Sequence, residues 1–87
     1  MKKVFHQNAW KDYLYWQKQD KKFLKRINLL IKDTERSPYE GLGKPEALKQ
    51  NLLDWWSRRI TDEHRIVYRV QGDELHIVAL RYHYSSL

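Results

Sequence analysis

No cysteine occurs among the 87 residues, so neither a disulfide nor a thiolate metal centre can hold this fold. A cysteine-free chain also fits a reducing compartment. Glycine and proline are scarce, at three and two residues. Four of these five fall between Pro38 and Pro45, so the irregular backbone is concentrated in one segment. No apolar run approaches the roughly 18 residues of a membrane span. The opening Met1-Lys2-Lys3-Val4-Phe5-His6 lacks the apolar stretch of an export signal. The expectation is a cytoplasmic protein with no membrane partner. The four histidines have no ligand spacing with one another, so no metal and no cofactor is expected. Gly41-Leu42-Gly43-Lys44-Pro45 lacks the spacing and the Ser/Thr of a phosphate-binding loop, and reads as turn glycines.

What is abundant is positive charge and aromatic surface. The formal net charge is +6, and residues 1–45 hold 11 of the 17 Lys and Arg but 5 of the 11 Asp and Glu. This bias points to a polyanionic partner, or to a solvated basic helix face. The second half of the chain contains five Arg and one Lys, and the planar guanidinium fork suits phosphate. Four Trp, six Tyr and two Phe exceed what so small a core needs, leaving some for a ligand face.

One domain, residues 1–87, is expected from the length. Lys2 to His6 reads as a strand, and Asn8 is placed to cap a helix from Ala9 to about Gln19. Asp20 is placed to cap a second helix, in which Phe23, Leu24, Ile27, Leu30 and Ile31 recur at helical spacing. Residues 37–45 read as a loop, and Pro45 as the start of a short helical turn through Lys49. Leu53 to Ile60, Arg65 to Val70 and Leu75 to Tyr82 are rich in β-branched and aromatic residues, with turns at 61–64 and at Gly72-Asp73. The order β-α-α-β-β-β predicts an α+β fold: a small antiparallel sheet with an N-terminal helical hairpin packed on one face. Trp55 and Trp56, being adjacent on a strand, should point to opposite faces.

Strand alternation puts Ile66, Tyr68 and Val70 on the core face, and Arg65, Val67 and Arg69 on the other. Alternation also groups Leu75, Ile77, Ala79, Arg81 and His83. Basic and aromatic groups gather in Arg81-Tyr82-His83-Tyr84. A carboxylate, an arginine and a histidine are what metal-free RNA cleavage requires. A base frees the 2′-hydroxyl, a cation stabilises charge on phosphorus, and an acid protonates the departing oxygen. Aromatic rings add stacking on unpaired bases. The lesser alternatives are that Glu46 serves a helix start, Arg65 a cross-strand ion pair, and residues 83 and 84 an inert end.

Lys44-Pro45-Glu46-Ala47-Leu48-Lys49, Trp56-Ser57-Arg58-Arg59-Ile60, Glu63-His64-Arg65-Ile66-Val67-Tyr68 and Arg81-Tyr82-His83-Tyr84 together resemble the YoeB branch of the RelE/ParE toxin superfamily. Asp12-Tyr13-Leu14-Tyr15-Trp16 and Ile31-Lys32-Asp33-Thr34 fit the same pattern. The resemblance runs from about Val4 to Tyr84. It implies a RelE-like, microbial-RNase-type fold and a ribosome-dependent endoribonuclease, an mRNA interferase acting in the ribosomal A site. It further implies Glu46 as general base, His83 as general acid, Arg65 as transition-state stabiliser and Tyr84 as a positioning group. Lys49 and Arg59 would bind RNA. A YefM-like antitoxin, a homodimer and operator DNA bound through the antitoxin are the implied partners. Two departures stand out: Asp54 where the family usually has glycine, and Ser85-Ser86-Leu87 beyond the usual ending. The competing functions are a ParE-like gyrase inhibitor, which would lack the Glu, Arg and His set, and a non-catalytic RNA- or ribosome-binding module.

Overall fold

The computed structural model describes residues 1–48 and 54–82. Its elements are β1 (Lys2–Phe5), α1 (Gln7–Gln19), α2 (Lys21–Arg36), β2 (Glu46–Ala47), β3 (Trp56–Arg59), β4 (Arg65–Gln71) and β5 (Glu74–Ala79). The five strands form one sheet in the order β1-β5-β4-β3-β2. Both helices cover one face, as the sequence implied, and the chain is α+β. The sheet is mixed rather than purely antiparallel, because β1 runs parallel to β5 with Val4 opposite His76. That pairing satisfies the first strand's backbone groups through the strand made last.

Asp20 caps α2 as expected, accepting from the backbone N–H groups of Lys22 and Phe23 at 3.0 and 3.3 Å. Asn8 does not cap α1. The helix begins one residue before it, His6 is the N-cap and makes no side-chain cap bond, and the Asn8 amide donates instead to the Val78 carbonyl at 3.4 Å. The helical turn expected after Pro45 is likewise absent. Glu46 and Ala47 are extended and pair antiparallel with Ser57 and Trp56, so local propensity yields to an open sheet edge. The third strand starts at Trp56, and Leu53 lies outside the described residues.

The main core lies between helices and sheet: Trp16, Ile27, Leu30, Ile66, Tyr68, Leu75, Ile77 and Leu80. A smaller cluster of Leu48, Val67 and Ala79, flanked by Trp55 and Val78, lies on the open face. Trp56 packs on the main core and Trp55 on the open-face cluster, so the two neighbours do point apart. The grouping of Ala79 with Leu75 and Ile77 fails. Val67 opposes Ala79 while Tyr68 opposes Ile77, a bulge that skips Val78 and turns Ala79 to the open face. Leu80 then returns to the core. The surplus of aromatics is real: Trp10, Tyr15, Tyr39 and Tyr82 are exposed.

Candidate active site

Arg58 and Arg59 are consecutive on β3 and have opposite fates. Arg58 faces the helices and is fully buried. Its guanidinium donates to Asp33 Oδ2 at 2.7 Å and to the carbonyls of Ser37, Glu40 and Leu42, while its Nε donates to the Tyr68 hydroxyl. Tyr68 in turn donates to the Pro38 carbonyl at 2.6 Å. One cation thereby ties down the loop that leads from α2 to Glu46. Asp33 also accepts from Arg36 and from the Leu42 N–H, and these bonds hold its carboxyl far below the usual carboxylate range. Gly41 lies so close that a Cβ there would meet Asp33 Oδ2 at 2.3 Å. Sequence reasoning read Arg58 only as part of a motif, although its alternation with Arg59 marks one of the two as inward-facing.

Arg59 faces the other way and stands directly opposite Arg65 on β4. Two like charges opposed across strands repel, and an anion between or above them would relieve that repulsion. The Arg65 side chain is nearly buried, and its Nη1 donates to the carbonyls of Thr61, Asp62 and His64 at 2.6, 2.9 and 3.2 Å. The turn before β4 thus fixes the arginine, while its Nε and Nη2 have no partner among the described residues. Arg65 is therefore not a cross-strand ion-pair partner. A cleft of about 340 Å³ next to Arg59 is also lined by Arg26, Lys44 and Asp62.

Glu46 sits in the register row Glu46–Ser57–Val67–Ala79, on the same open face. It lies two strands and two residues from Arg65, about 12 Å between Cα atoms by strand spacing. Register thus puts the two residues on one face of the sheet. Its strand conformation removes the alternative role as a helix-start charge.

The segment before His83 is held on all its backbone hydrogen-bonding groups at Leu80 and Tyr82. Asp12 accepts from the Leu80 N–H and Trp16 Nε1 donates to the Leu80 carbonyl, both at 2.9 Å. His64 Nδ1 accepts from the Tyr82 N–H at 2.8 Å, and the Arg65 N–H donates to the Tyr82 carbonyl at 3.0 Å. Tyr82 has φ 59°, an uncommon conformation for a large side chain that these bonds enforce. Asp12 and Trp16 are one helical turn apart, so α1 presents acceptor and donor together. Burial pushes the Asp12 carboxyl up, opposed by the Leu80 hydrogen bond. Burial pushes the His64 imidazole down, so Nδ1 stays free to accept. Arg81 lies over the Tyr15 ring at 3.6 Å. None of Asp12, Trp16 and His64 was singled out from sequence as a positioning group. The i,i+4 pairing of Asp and Trp was the available signal.

His83, Tyr84 and Lys49 lie outside the described residues, so their geometry carries no part of the site. Asp54 has φ 68°, the positive angle for which glycine is the unstrained residue.

The model of YoeB-like toxins of bacterial type II toxin-antitoxin systems matches residues 5–84. The chain belongs to this family. It is 61% identical to Toxin YoeB of Escherichia coli K12 over 84 residues, which is 97% of this chain and 100% of that protein. Its fold superposes on a YoeB/ParE toxin from Agrobacterium tumefaciens with TM-score 0.94 at 48% identity, covering 97% and 100% of the two chains. Two Staphylococcus aureus structures, both at 46% identity and covering 97% of this chain and 98% of theirs, are a YoeB dimer (TM-score 0.91) and a heterotetrameric YoeB-YefM toxin-antitoxin complex (TM-score 0.89). YafQ of E. coli, at 18% identity and TM-score 0.71 with 98% and 96% coverage, shares the fold alone.

Proposed function

We propose that this toxin is a ribosome-dependent endoribonuclease that cleaves mRNA in the A site by 2′-hydroxyl attack, with no catalytic metal. The observation that carries the reading is the Arg59–Arg65 pair, two guanidinium groups on one sheet face with Glu46 two residues along. In this scheme Glu46 takes the proton from the 2′-hydroxyl. The oxygen attacks the adjacent phosphorus, and Arg65, already oriented by three turn carbonyls, stabilises the charge that develops. The bond to the 5′-oxygen breaks as His83 supplies a proton, leaving a 2′,3′-cyclic phosphate and a 5′-hydroxyl. Arg59 and Lys49 hold neighbouring phosphate, and Tyr84 positions the RNA. The roles of His83, Tyr84 and Lys49 rest on the family motif. The backbone tie between Arg65 and Tyr82 supports the placement of the acid, because His83 is the next residue. A YefM-like antitoxin whose acidic segment covers the basic face is the expected partner. A homodimer and antitoxin-mediated operator binding complete the assembly.

Mapping mRNA 5′ ends in a reconstituted translation reaction tests this. Glu46→Ala and His83→Ala should each abolish new ends, and a substrate with a 2′-deoxy nucleotide before the cut should resist. Normal cleavage of the deoxy substrate would refute the mechanism. Inhibited translation without new ends would make the protein a binder. Gyrase poisoning without RNA cleavage would favour the ParE-like alternative.

A further inference from the structure

Where β5 leaves the sheet, α1 meets Arg81 and Tyr82. Asn8, Lys11, Asp12 and Tyr15 follow one another at three- and four-residue spacing, so a single face of α1 lines one side of a cleft of about 310 Å³, with Arg81 and Tyr82 completing it. The cleft shares no residue with the one beside Arg59. Rings rather than acids surround the Arg81 guanidinium: its carbon lies 3.6 Å from the ring centre of Tyr15, 4.9 Å from that of Tyr82 and 5.9 Å from that of Trp16. Among the described residues its one hydrogen bond runs from Nη2 to the Tyr82 hydroxyl at 2.9 Å, and Nε is buried without a partner. A guanidinium can donate five N–H bonds, so the protein leaves most of this capacity unused. Asp12, the one carboxylate in the lining, is engaged by the Leu80 N–H and acts on the guanidinium only through space. Lys11 stands exposed on the same helix face, and Tyr15 and Tyr82 keep 37% and 48% of their surface in water.

A guanidinium and an ammonium group attract phosphate, and exposed tyrosine faces stack unpaired bases. Cation and ring side by side therefore match the two halves of a nucleotide, whereas an acidic peptide would leave the rings unused. We propose that Lys11, Tyr15, Arg81 and Tyr82 form a subsite for one nucleotide of single-stranded RNA, its phosphate on Arg81 and Lys11 and its base on the exposed tyrosine faces. The inference rests on the RNA-cleaving reading above and adds to it a place for a nucleotide flanking the cut. The Tyr82 carbonyl accepts from the Arg65 N–H at 3.0 Å, so the backbone joins this cleft directly to the arginine assigned to the transition state. Lys11 and Tyr15 sit on α1, far along the chain from that arginine, and only the docking of α1 against the end of β5 brings them to it.

Titration of the full chain with a fluorescein-labelled 2′-O-methyl hexanucleotide tests this, because the probe lacks the attacking hydroxyl and reports binding without cleavage. Lys11→Gln should weaken binding about 3- to 10-fold and reduce the slope of log affinity against log salt by about 0.7, the share of one single-strand phosphate contact. Tyr15→Leu should weaken binding about 5-fold or more at unchanged slope, as loss of a stacking face does. Lys32→Gln, which removes one charge from the exposed face of α2, should change affinity by less than about 2-fold. On the wild type, the ring protons of Tyr15 and Tyr82 should shift on addition of the probe ahead of those of Tyr39, which is exposed in another cleft. Wild-type affinity in either Lys11→Gln or Tyr15→Leu, shifts led by Tyr39, or no binding by the wild type would overturn the subsite. New mRNA 5′ ends formed in spite of such a result would leave the cleavage reading standing, whereas absence of both binding and cleavage would sink the two together. An Asp- and Glu-rich peptide that loses affinity in both variants while the hexanucleotide does not would assign the cleft to a protein partner instead.

Discussion

At the scale of single residues, Arg58 is fully buried and donates five hydrogen bonds. Its removal takes away the buried one of Asp33's two guanidinium partners and leaves three loop carbonyls without their donor, so Arg58→Ala should cost about 3–5 kcal/mol in a denaturant titration. Arg58→Met combined with Asp33→Asn should cost less than Arg58→Met alone, because the buried carboxylate that has lost its inner cation is no longer charged. Gly41→Ala should destabilise as well, since φ is 117° and the new Cβ would collide with Asp33. Asp54→Gly should be nearly neutral, within about 1 kcal/mol, because relief of the positive φ is offset by greater freedom of the unfolded chain. His64 sets a pH dependence. Its folded-state value is lowered, so the unfolded chain binds the proton more readily. The stability it contributes is complete above about pH 6.5 and is lost as pH falls through the lowered value. Glu63 opposes this shift, whereas Arg81 and Arg65 reinforce it. Thermal melts between pH 7.5 and 5 should show the loss, and exchange of the Tyr82 amide should accelerate in step as Nδ1 is protonated.

Elements owe their legibility to how local their causes are. The cap of α2 was readable because Asp20 bonds amides two and three residues away. The loop at 37–45 was readable from its own glycines and prolines. β2 was not, because Pro45 and Glu46 suit a helix start and only the free edge of β3 makes them extended. The bulge in β5 was equally hidden, since Val78 is as β-prone as its neighbours and the skip is set by pairing with β4. For the candidate site, alternation placed Arg65 on the open face, but the Arg59–Arg65 opposition needed the register. The clamp on Leu80 needed α1 docked on the sheet. Trp16→Phe tests that clamp: it keeps one aromatic ring but loses the donor to the Leu80 carbonyl and part of the buried indole. Stability should fall by about 1–3 kcal/mol. If the proposed chemistry holds, single-turnover mRNA cleavage should slow by about 10- to 100-fold, through displacement of the segment carrying the acid.

Across the whole molecule, charge and topology have separate consequences. The +6 balance predicts binding to RNA that weakens steeply with salt, so affinity for a short single strand measured between 50 and 200 mM salt should fall by at least about 10-fold. The topology places the first strand beside the last, with β5 between β1 and β4. Until β5 has been synthesised, β1 has no strand to pair with, and Leu75, Ile77 and Leu80 are missing from the core. A chain truncated after Gln71 should therefore show no cooperative unfolding transition. A nascent molecule of this toxin therefore lacks a closed core, and with it the cooperative fold, until β5 has left the ribosome.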